Sequence, residues 1–329
     1  APSYDIVGFC MSIIPTWASI DRSKFSVRRC CSTSNAVFHV ATEEEVEPKN
    51  VIYRRIGRGE VIDKEQELSV CRRLSELGLV PKILHLDELQ RVEEYLEGYR
   101  PLKRIEIADP TKIKLITEQL RMLHAADMSM VVDSHVSNTV KYATKWRKLT
   151  QAIFPEEAFM SEDYWNHYLE LQENLGELVF CHHDMSDMNI LYNKETDKLE
   201  LIDYEFSGYA PRSTDFAFIV NEILFEYDVS VPPFFEYHPE APANDELVGQ
   251  YVSNYGGDAT LWVQVQLSRT ASHYFWSLWA AAKALDAEPG GFNYLEFARL
   301  RFRLFKEEFD SLDLEGLRRR AEGIFNTSN

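Results

Sequence analysis

The sequence predicts an α+β protein of two lobes, a small β-rich N-terminal lobe and a larger, mainly helical C-terminal lobe. The first ~95 residues alternate like β-strands around a single helical segment, whereas most later segments repeat their apolar residues at helical spacing. Residues 179–206 are the main β-like interruption of the helical part. We place the lobes at residues 1–97 and 98–329, with the connector between them at about residues 93–100.

In the N-terminal lobe, residues 26–42 are predicted to form a strand, a polar turn and a second strand, and residues 50–59 a third strand. Residues 63–78 are predicted to be a helix, because their apolar residues recur at three-residue steps and Gly78 suits a helix C-terminus. Residues 80–102 alternate like two short strands.

Helical patterns dominate the C-terminal lobe. Asp109 and Pro110 are suited to cap and to begin a helix that continues through residues 111–128. Further helical patterns begin at residue 214 and at residue 260.

The composition argues against several classes of protein. No stretch approaches the ~20 apolar residues of a membrane helix, and the first apolar segment lacks the basic flank of a signal peptide, so we expect no membrane insertion. Five cysteines without a CxxC spacing indicate a reducing compartment, which we take to be the cytoplasm. A net charge of −18 argues against nucleic-acid binding and is compatible with a small cationic substrate.

Within the β-like interruption, residues 189–192 and 199–203 flank a turn-rich loop and are predicted to form a hairpin. If Tyr192 pairs with the first residue of the second run, Asn189 comes to lie next to Asp203. An amide oxygen and a carboxylate, with sites left for water and phosphate, are the ligands that Mg²⁺ prefers.

Asp184 precedes this hairpin by a few residues and can face a substrate hydroxyl, as phosphoryl transfer requires. Two other interpretations stay open at this point. The polar residues can solvate a capped β-turn, or His182 and His183 can belong with Asp184 to a metal cluster, although no second pattern completes a zinc site. His182 fits better as a residue that braces the loop through backbone hydrogen bonds.

These motifs resemble those of the choline and ethanolamine kinases, which are relatives of the aminoglycoside kinases and, more distantly, of the protein kinases. The family pattern H-x-D-x4-N, then I-D-[FY]-E, then an Asp near the start of a helix is met by His182, Asp184, Asn189, Asp203 and Asp215. The resemblance implies a two-lobed protein-kinase-like fold with ATP and Mg²⁺ as cofactors. It also implies that Asp184 is the catalytic base and that Asn189 and Asp203 hold the metal.

The resemblance extends to the N-terminal lobe, where it implies a set of ATP-binding residues. They comprise a basic residue that contacts phosphate, a helix glutamate that pairs with it, a nucleotide-covering turn, and backbone groups of the connector that contact adenine. The turn has no glycine, unlike that of most kinases. In this sequence the phosphate-contacting residue is Arg54 and the helix glutamate is Glu67. The turn contains Ser34 and Asn35, and the connector contains Glu94 and Leu96.

The phosphate acceptor is expected to be a small molecule. Only eleven residues separate Asp203 from Asp215 and no A-P-E motif follows, so the long segment on which a protein kinase lays out a peptide is missing. An aromatic stripe at helical spacing, such as Trp276 and Trp279, is by itself more typical of a core. The resemblance instead implies an amino-alcohol pocket formed by Glu222, Tyr227, Phe234, Trp276, Trp279, Phe292 and Phe297. The family commonly has Tyr in place of Phe297.

We therefore expect an ATP-dependent kinase of a small amino alcohol, converting choline to phosphocholine as the first step of phospholipid head-group synthesis. Aromatic faces suit a quaternary ammonium, with Glu222 as the carboxylate, whereas a primary ammonium needs hydrogen-bond acceptors. The alternatives are an ethanolamine kinase, an aminoglycoside-type phosphotransferase and a non-catalytic nucleotide-binding scaffold, for which the glycine-free turn is the support. A homodimer is compatible with the sequence.

Overall fold

The computed structural model describes residues 5–30, 36–56, 61–287 and 290–326. The chain divides into two compact units, Ala1–Tyr99 and Arg100–Asn329. In the described ranges the first unit is built around a β-sheet and the second is mainly helical. The α+β class predicted from the sequence is confirmed.

The first unit contains an antiparallel sheet whose strand order, in the described ranges, is β1-β2-β3-β5-β4. Its core is formed by Cys10, Trp17, Val40, Val51 and Val92, all fully buried, together with their apolar neighbours. The helix α2 and the strands β1–β5 lie at or next to the predicted ranges, but α1 was not predicted, and residues 80–102 contain three short strands instead of two. The elements are α1 (Ile6–Ile13), β1 (Phe25–Arg29), β2 (Ala36–Thr42), β3 (Asn50–Arg55), α2 (Lys64–Glu76), β4 (Ile83–Leu86) and β5 (Gln90–Glu94), with β6 (Tyr99–Pro101) crossing the boundary to the second unit.

Local signals in the sequence account for the ends of α2. The carboxylate of Asp63 accepts a hydrogen bond from the backbone N–H of Gln66 and thereby caps the helix. Gly78 follows the last turn with φ 68°, a left-handed conformation that glycine adopts without steric cost.

The helices of the second unit surround α8, which is buried along most of its length. As predicted, Asp109 caps α3 by accepting from the N–H groups of Thr111 and Lys112, and Pro110 is its first residue. No helix of the described ranges is both long and apolar enough to cross a membrane. The helices are α3 (Pro110–His124), α4 (Asn138–Gln151), α5 (Glu162–Glu173), α6 (Ser213–Glu222), α7 (Asp245–Tyr255), α8 (Ala259–Lys283), α9 (Tyr294–Asp310) and α10 (Leu314–Phe325).

The strands of the second unit carry the loops that form the candidate site. They are β7 (Leu178–Cys181), β8 (Ile190–Asn193), β9 (Lys198–Leu201), β10 (Gly208–Pro211), β11 (Phe225–Glu226) and β12 (Glu236–Tyr237). Antiparallel pairs join β7 to β10, β8 to β9 and β11 to β12. The loop after β7 and the loop after β9 are joined by a hydrogen bond from the Ser207 hydroxyl to the carbonyl oxygen of His182 (3.0 Å).

Candidate active site

The β8–β9 hairpin has the register predicted from the sequence. Tyr192 pairs with Leu199, and the backbone N–H of Ile202 donates to the carbonyl oxygen of Asn189 (3.0 Å). Asn189 therefore lies opposite Ile202, one residue from Asp203. The hairpin thus brings an amide and a carboxylate to one end of the strand pair.

The turn of this hairpin is closed by its own side chains. The Oδ1 of Asn193 accepts hydrogen bonds from the backbone N–H groups of Glu195 (2.9 Å) and Thr196 (3.1 Å). Asp197 adopts a left-handed conformation, φ 51°, and accepts a hydrogen bond from the hydroxyl of Tyr192. These local bonds fix the length of the turn and hence the register.

Asn189 also holds the carboxylate that precedes the hairpin. Its Nδ2 donates to the carbonyl oxygen of Asp184 (3.0 Å) and to Asp184 Oδ2 (2.8 Å). Because the amide nitrogen is used in this way, the Oδ1 of Asn189 is the atom left for a cation. The backbone of Asp203 is left-handed, φ 68°, a conformation that costs a non-glycine residue about 1–2 kcal/mol and is enriched at functional sites.

The electrostatics of this group suit a divalent cation. Burial raises the pKa of Asp184 well above its usual range, and the charges of Asp203 and Glu222 raise it further, opposed by the hydrogen bond from Asn189. Carboxylates held this close repel one another unless positive charge is added. Asn189 and Asp203 offer hard oxygen atoms, so the residues present fit Mg²⁺ or a similar ion.

His182 braces the loop, as the sequence analysis expected. Its Nδ1 accepts a hydrogen bond from the backbone N–H of Asp184 (3.2 Å), and its Nε2 lies 2.9 Å from the carbonyl oxygen of Ile202. A ring that accepts at Nδ1 must carry its proton at Nε2, so the side chain is neutral and donates to Ile202. Burial lowers the pKa of His182, consistent with this tautomer. The imidazole therefore ties the backbone before Asp203 to that of Asp184.

Asp215, in the first turn of α6, anchors the same loop from the other side. Its Oδ2 accepts from the backbone N–H of His182 (2.8 Å) and its Oδ1 from that of His183 (2.9 Å). The Nε2 of His124 lies 3.1 Å from Oδ2. Burial raises the pKa of Asp215, but the hydrogen bond from His124 and the charges of nearby histidines outweigh it and bring the value to about 2. The carboxylate stays ionised, and the loop residue His183 is held with φ 67°.

The metal-cluster interpretation of the paired histidines finds no support in the geometry. Of the described residues, His124, Cys181 and Asp215 place potential ligand atoms within 4.8 Å of one another, without the side chains of His182 or His183. The atoms of this group already have hydrogen-bond partners, since His124 Nδ1 lies 3.1 Å from the hydroxyl of Tyr255 and the thiol of Cys181 contacts the Ala210 carbonyl oxygen. Burial raises the pKa of Cys181 well above its usual range, which keeps the thiol protonated.

Rings of the predicted substrate-binding residues form a connected cluster in the second unit. Trp276 and Trp279 meet edge to face at 5.3 Å between ring centroids, and Phe292 and Phe297 lie 5.5 Å apart. The ring of Tyr227 lies 6.3 Å from Phe292 and 5.9 Å from Phe297. The structure therefore brings five of these side chains together.

The cluster also contains Tyr294 and Phe235, which were not predicted as binding residues, and one prediction falls at its edge. Tyr294 links its halves, with its ring 5.8 Å from Trp279 and 4.7 Å from Phe292. Phe235 is buried and packs against Phe292 at 5.4 Å. Phe234 precedes it with φ 67° and, among the described residues, makes no ring contact with the cluster. Its role in binding stays a prediction.

Carboxylates lie at one side of the ring cluster. Glu222, the last residue of α6, accepts a hydrogen bond from the hydroxyl of Tyr227 (3.4 Å). Burial raises the pKa of Glu222 to about 7, the charge of Arg301 opposes this, and the charge of Asp187 adds to it. Burial, with the charge of Glu226, likewise raises the pKa of Asp187 to about 6. Sequence reasoning missed Asp187, although its place inside the H-x-D-x4-N motif is a usable signal.

Arg54, one of the predicted ATP-binding residues of the first unit, belongs to a buried network of charged side chains. Arg54 on β3 and Arg91 on β5 face each other across the sheet, and both side chains contact the carboxylate of Glu93, at 3.6 and 2.8 Å. Glu67 on α2 is buried as well, and Arg91 donates to the sulfur of Cys71 one turn further along this helix. Arg91 and Glu93 were not predicted.

The remaining nucleotide-binding predictions concern the connector and the turn. The Glu94 side chain is exposed, and its backbone N–H donates to the carbonyl oxygen of Lys82 (2.9 Å). The carbonyl oxygen of Leu96 accepts from the N–H of Tyr99 (3.3 Å). Ser34 and Asn35 lie outside the described residues.

Comparison with known proteins identifies the family. A family model described as choline/ethanolamine kinase matches residues 30–306. The chain belongs to the choline/ethanolamine kinase family. This kinase is accordingly an enzyme that phosphorylates an alcohol, as the motifs predicted.

Among the relatives of this kinase, some are named for choline, some for ethanolamine and some for both. A "Probable ethanolamine kinase" from Arabidopsis thaliana is 26% identical over 326 residues, which cover 92% of this chain and 84% of the relative. A "Choline/ethanolamine kinase" from Homo sapiens is 26% identical over 309 residues, covering 84% and 78%. The crystal structure of choline kinase from Cryptosporidium parvum superimposes with a TM-score of 0.80 at 22% identity, covering 95% of this chain and 96% of that one. This likeness confirms the predicted fold.

Proposed function

We propose that this kinase transfers the γ-phosphate of ATP to the hydroxyl group of choline, with Mg²⁺ as the metal, as the first step of phospholipid head-group synthesis. The observation that carries the proposal is the convergence of Asp184, Asn189 and Asp203 at one end of the β8–β9 hairpin. A carboxylate beside a metal site is what direct, in-line phosphoryl transfer to an alcohol requires.

Asp184 is the proposed base that orients and deprotonates the substrate hydroxyl. Its Oδ2 accepts from Asn189, which fixes the rotamer of the carboxylate and leaves Oδ1 for the hydroxyl. When bound by Asn189 and Asp203, Mg²⁺ supplies positive charge that stabilises the phosphate oxygens. Arg54 is the proposed phosphate-contacting side chain of the first unit, with Glu67 as its supporting carboxylate and the turn carrying Ser34 and Asn35 over the nucleotide. Backbone groups at Glu94 and Leu96 are the proposed adenine contacts.

The ring cluster supports choline as the acceptor. A quaternary ammonium cannot donate a hydrogen bond, and each aromatic face that it contacts contributes about 0.5–2 kcal/mol. Trp276, Trp279, Tyr227, Phe292 and Phe297 supply such faces in our proposal, with Phe234 nearby and Glu222 as the carboxylate.

Ethanolamine is the second candidate, and one observation favours it. Glu222 and the hydroxyl of Tyr227 lie 3.4 Å apart, so both can accept hydrogen bonds from a primary ammonium. An aminoglycoside would need a broader acidic surface than Glu222 and the neighbouring rings offer.

Steady-state kinetics with choline and ethanolamine side by side test the proposal, with an aminoglycoside as a third acceptor and ADP release as the readout. We expect kcat/KM for choline to exceed that for ethanolamine by about tenfold, the effect of roughly one additional cation–π contact. A higher kcat/KM for ethanolamine would transfer the assignment to that substrate. Turnover of the aminoglycoside alone would refute an amino-alcohol kinase.

Replacement of the base tests the mechanism. Asp184→Ala should lower kcat by at least about a hundredfold, the usual contribution of a general base, while the KM values for ATP and choline change little. Asp163→Ala, which removes an exposed carboxylate from α5, is the matched control and should be as active as the wild type. Near-normal turnover by the Asp184 variant would rule out this role.

A further inference from the structure

The side chain of Arg301 on α9 is a buried charge that the mechanism above does not use. Arg301 is 1% exposed, and its guanidinium lies 4.5 Å from the ring centroid of Phe225 and 5.7 Å from that of Phe297. Its Nη2 is 3.4 Å from the carbonyl oxygen of Ser272 on α8. Its Nε and Nη1 have no hydrogen-bond partner among the described residues.

A buried guanidinium is costly unless negative charge lies close by. Two carboxylates interact with Arg301 electrostatically, Glu222 and Glu308. Glu308 already has its own partners, because it accepts from the Thr270 hydroxyl (2.9 Å) and lies 3.5 Å from His273 Nε2. Glu222 has one hydrogen bond only, from Tyr227, among the described residues. The positive charge of Arg301 therefore acts mainly on Glu222.

We propose that Arg301 is a positioning residue of the amino-alcohol site, which keeps Glu222 negatively charged and holds the rings of Phe225 and Phe297 by packing against their faces. The inference rests on the proposed function, because Glu222 is the carboxylate assigned to the substrate cation. The path from Arg301 to Glu222 is continuous, since the ring of Phe297 lies 5.9 Å from that of Tyr227, whose hydroxyl donates to Glu222.

The charges around Glu222 explain why such a residue is needed. Burial raises the pKa of Glu222 to about 7, so half of these carboxyl groups would be protonated at neutral pH. Asp187 and Asp184, from the loop before β8, face Glu222 with negative charge, and Tyr227 faces it with a hydroxyl. Arg301 is the cation that opposes protonation, and a neutral Glu222 would not attract an ammonium group.

Arg301 also repels the substrate cation, so its removal has two opposing effects. Near the pKa of Glu222 the removal of Arg301 lowers the ionised fraction of this carboxyl group, and the lost attraction outweighs the relieved repulsion. Well above that pKa Glu222 is ionised with or without Arg301, and only the repulsion is removed. The effect on the KM for the amino alcohol should therefore change sign with pH, which a packing role alone does not produce.

The test compares Arg301→Met with the wild type in a pH profile of the KM for choline. Removal of an opposite charge shifts a buried carboxyl by about one pH unit or more, so the ionised fraction at pH 7 should fall from about one half to about one tenth. We expect KM for choline to rise about fivefold at pH 7 and to equal or fall below the wild-type value at pH 9. KM for ATP should change less than twofold.

Three further variants make the outcome decisive. Arg301→Lys keeps the charge and should restore the wild-type pH profile. In a Glu222→Gln background Arg301→Met should no longer raise the KM for choline at pH 7, because only the repulsion is left to remove. Arg299→Met, on the exposed side of the same helix, is the matched control and should leave KM unchanged. If Arg301→Met does not fold, Arg301→Gln, which can still donate to the Ser272 carbonyl, replaces it.

A failure of the proposed function can be distinguished from a failure of the role proposed for Arg301. A wild-type enzyme that turns over neither choline nor ethanolamine would refute the proposed function. Wild-type turnover with an unchanged pH profile in the Arg301 variants, or with a KM raised equally at all pH values, would refute the role of Arg301 alone.

Discussion

The anchoring of the catalytic loop by Asp215 leads to a prediction for Asp215→Asn. The wild-type carboxylate accepts two backbone N–H groups on separate oxygens, at 2.8 and 2.9 Å, in a fully buried setting. An asparagine has only one acceptor oxygen, so its side-chain NH2 group would face one of these backbone N–H groups, and both groups are donors. An unsatisfied buried donor costs about 1–3 kcal/mol, and a lost hydrogen bond to a charged acceptor about 1.5–3 kcal/mol. We expect the free energy of unfolding to fall by roughly 3–5 kcal/mol.

The pH dependence of stability provides an independent check on this prediction. The pKa of Asp215 is lowered from 3.8 to about 2 in the folded chain. The stability that this shift contributes, about 2 kcal/mol, is present above pH 4 and is lost as the pH falls through 2. The Asn variant lacks this group, so its stability should decline less steeply between pH 4 and pH 2.

Urea unfolding followed by tryptophan fluorescence measures the effect, and kcat measures the consequence for the site. Asp258→Asn is the control, because that carboxylate only caps α8 through the N–H of Leu261, and asparagine caps equally well. We expect the Asp215 variant to lose both stability and kcat, since the backbone of His183 and Asp184 is no longer held. A variant as stable and as active as the wild type would refute the reasoning, and a destabilised variant with full kcat would refute the link to catalysis.

Two further predictions concern the pocket and the packing of β10. Trp279→Ala should raise KM for choline by about tenfold while KM for ATP changes less than threefold, in keeping with the loss of one or two cation–π contacts; equal rises in both KM values would indicate a packing role. Gly208→Ala should lower the free energy of unfolding by about 1–3 kcal/mol, because the added Cβ would lie 2.6 Å from the buried side chain of Asn138; urea unfolding with no change in midpoint would contradict this.

The parts of the site that sequence reasoning predicted depend on local rules. The register that brings Asn189 beside Asp203 follows from two alternating runs and the length of the turn between them, all within fifteen residues of chain. The bracing role of His182 follows equally from its place in a loop between strands. Asp215 was found only through a motif, because its bonds to His182 and His183 span more than thirty residues.

The residues that were missed depend on contacts between distant segments. Phe235, and not Phe234, is buried in the ring cluster because α9 packs against it, and no periodicity in a short Pro-rich segment distinguishes the two. Arg301 left a clearer signal, since it lies on the apolar face of α9 between Phe297 and Phe305. A charge on such a face requires a partner from elsewhere in the fold, which the sequence alone does not identify.

The hairpin that carries Asn189 and Asp203 also offers a place to attach a probe. Residues 194–198 of its turn are exposed, and the four antiparallel residue pairs of β8 and β9 hold the two strands together on one side of the turn. Extra residues at a loop tip add little closure entropy, so an inserted tag should be tolerated there. The four paired residues of β8 span roughly 13 Å, so the two strands would keep a tag in the turn about that far from the reactive groups.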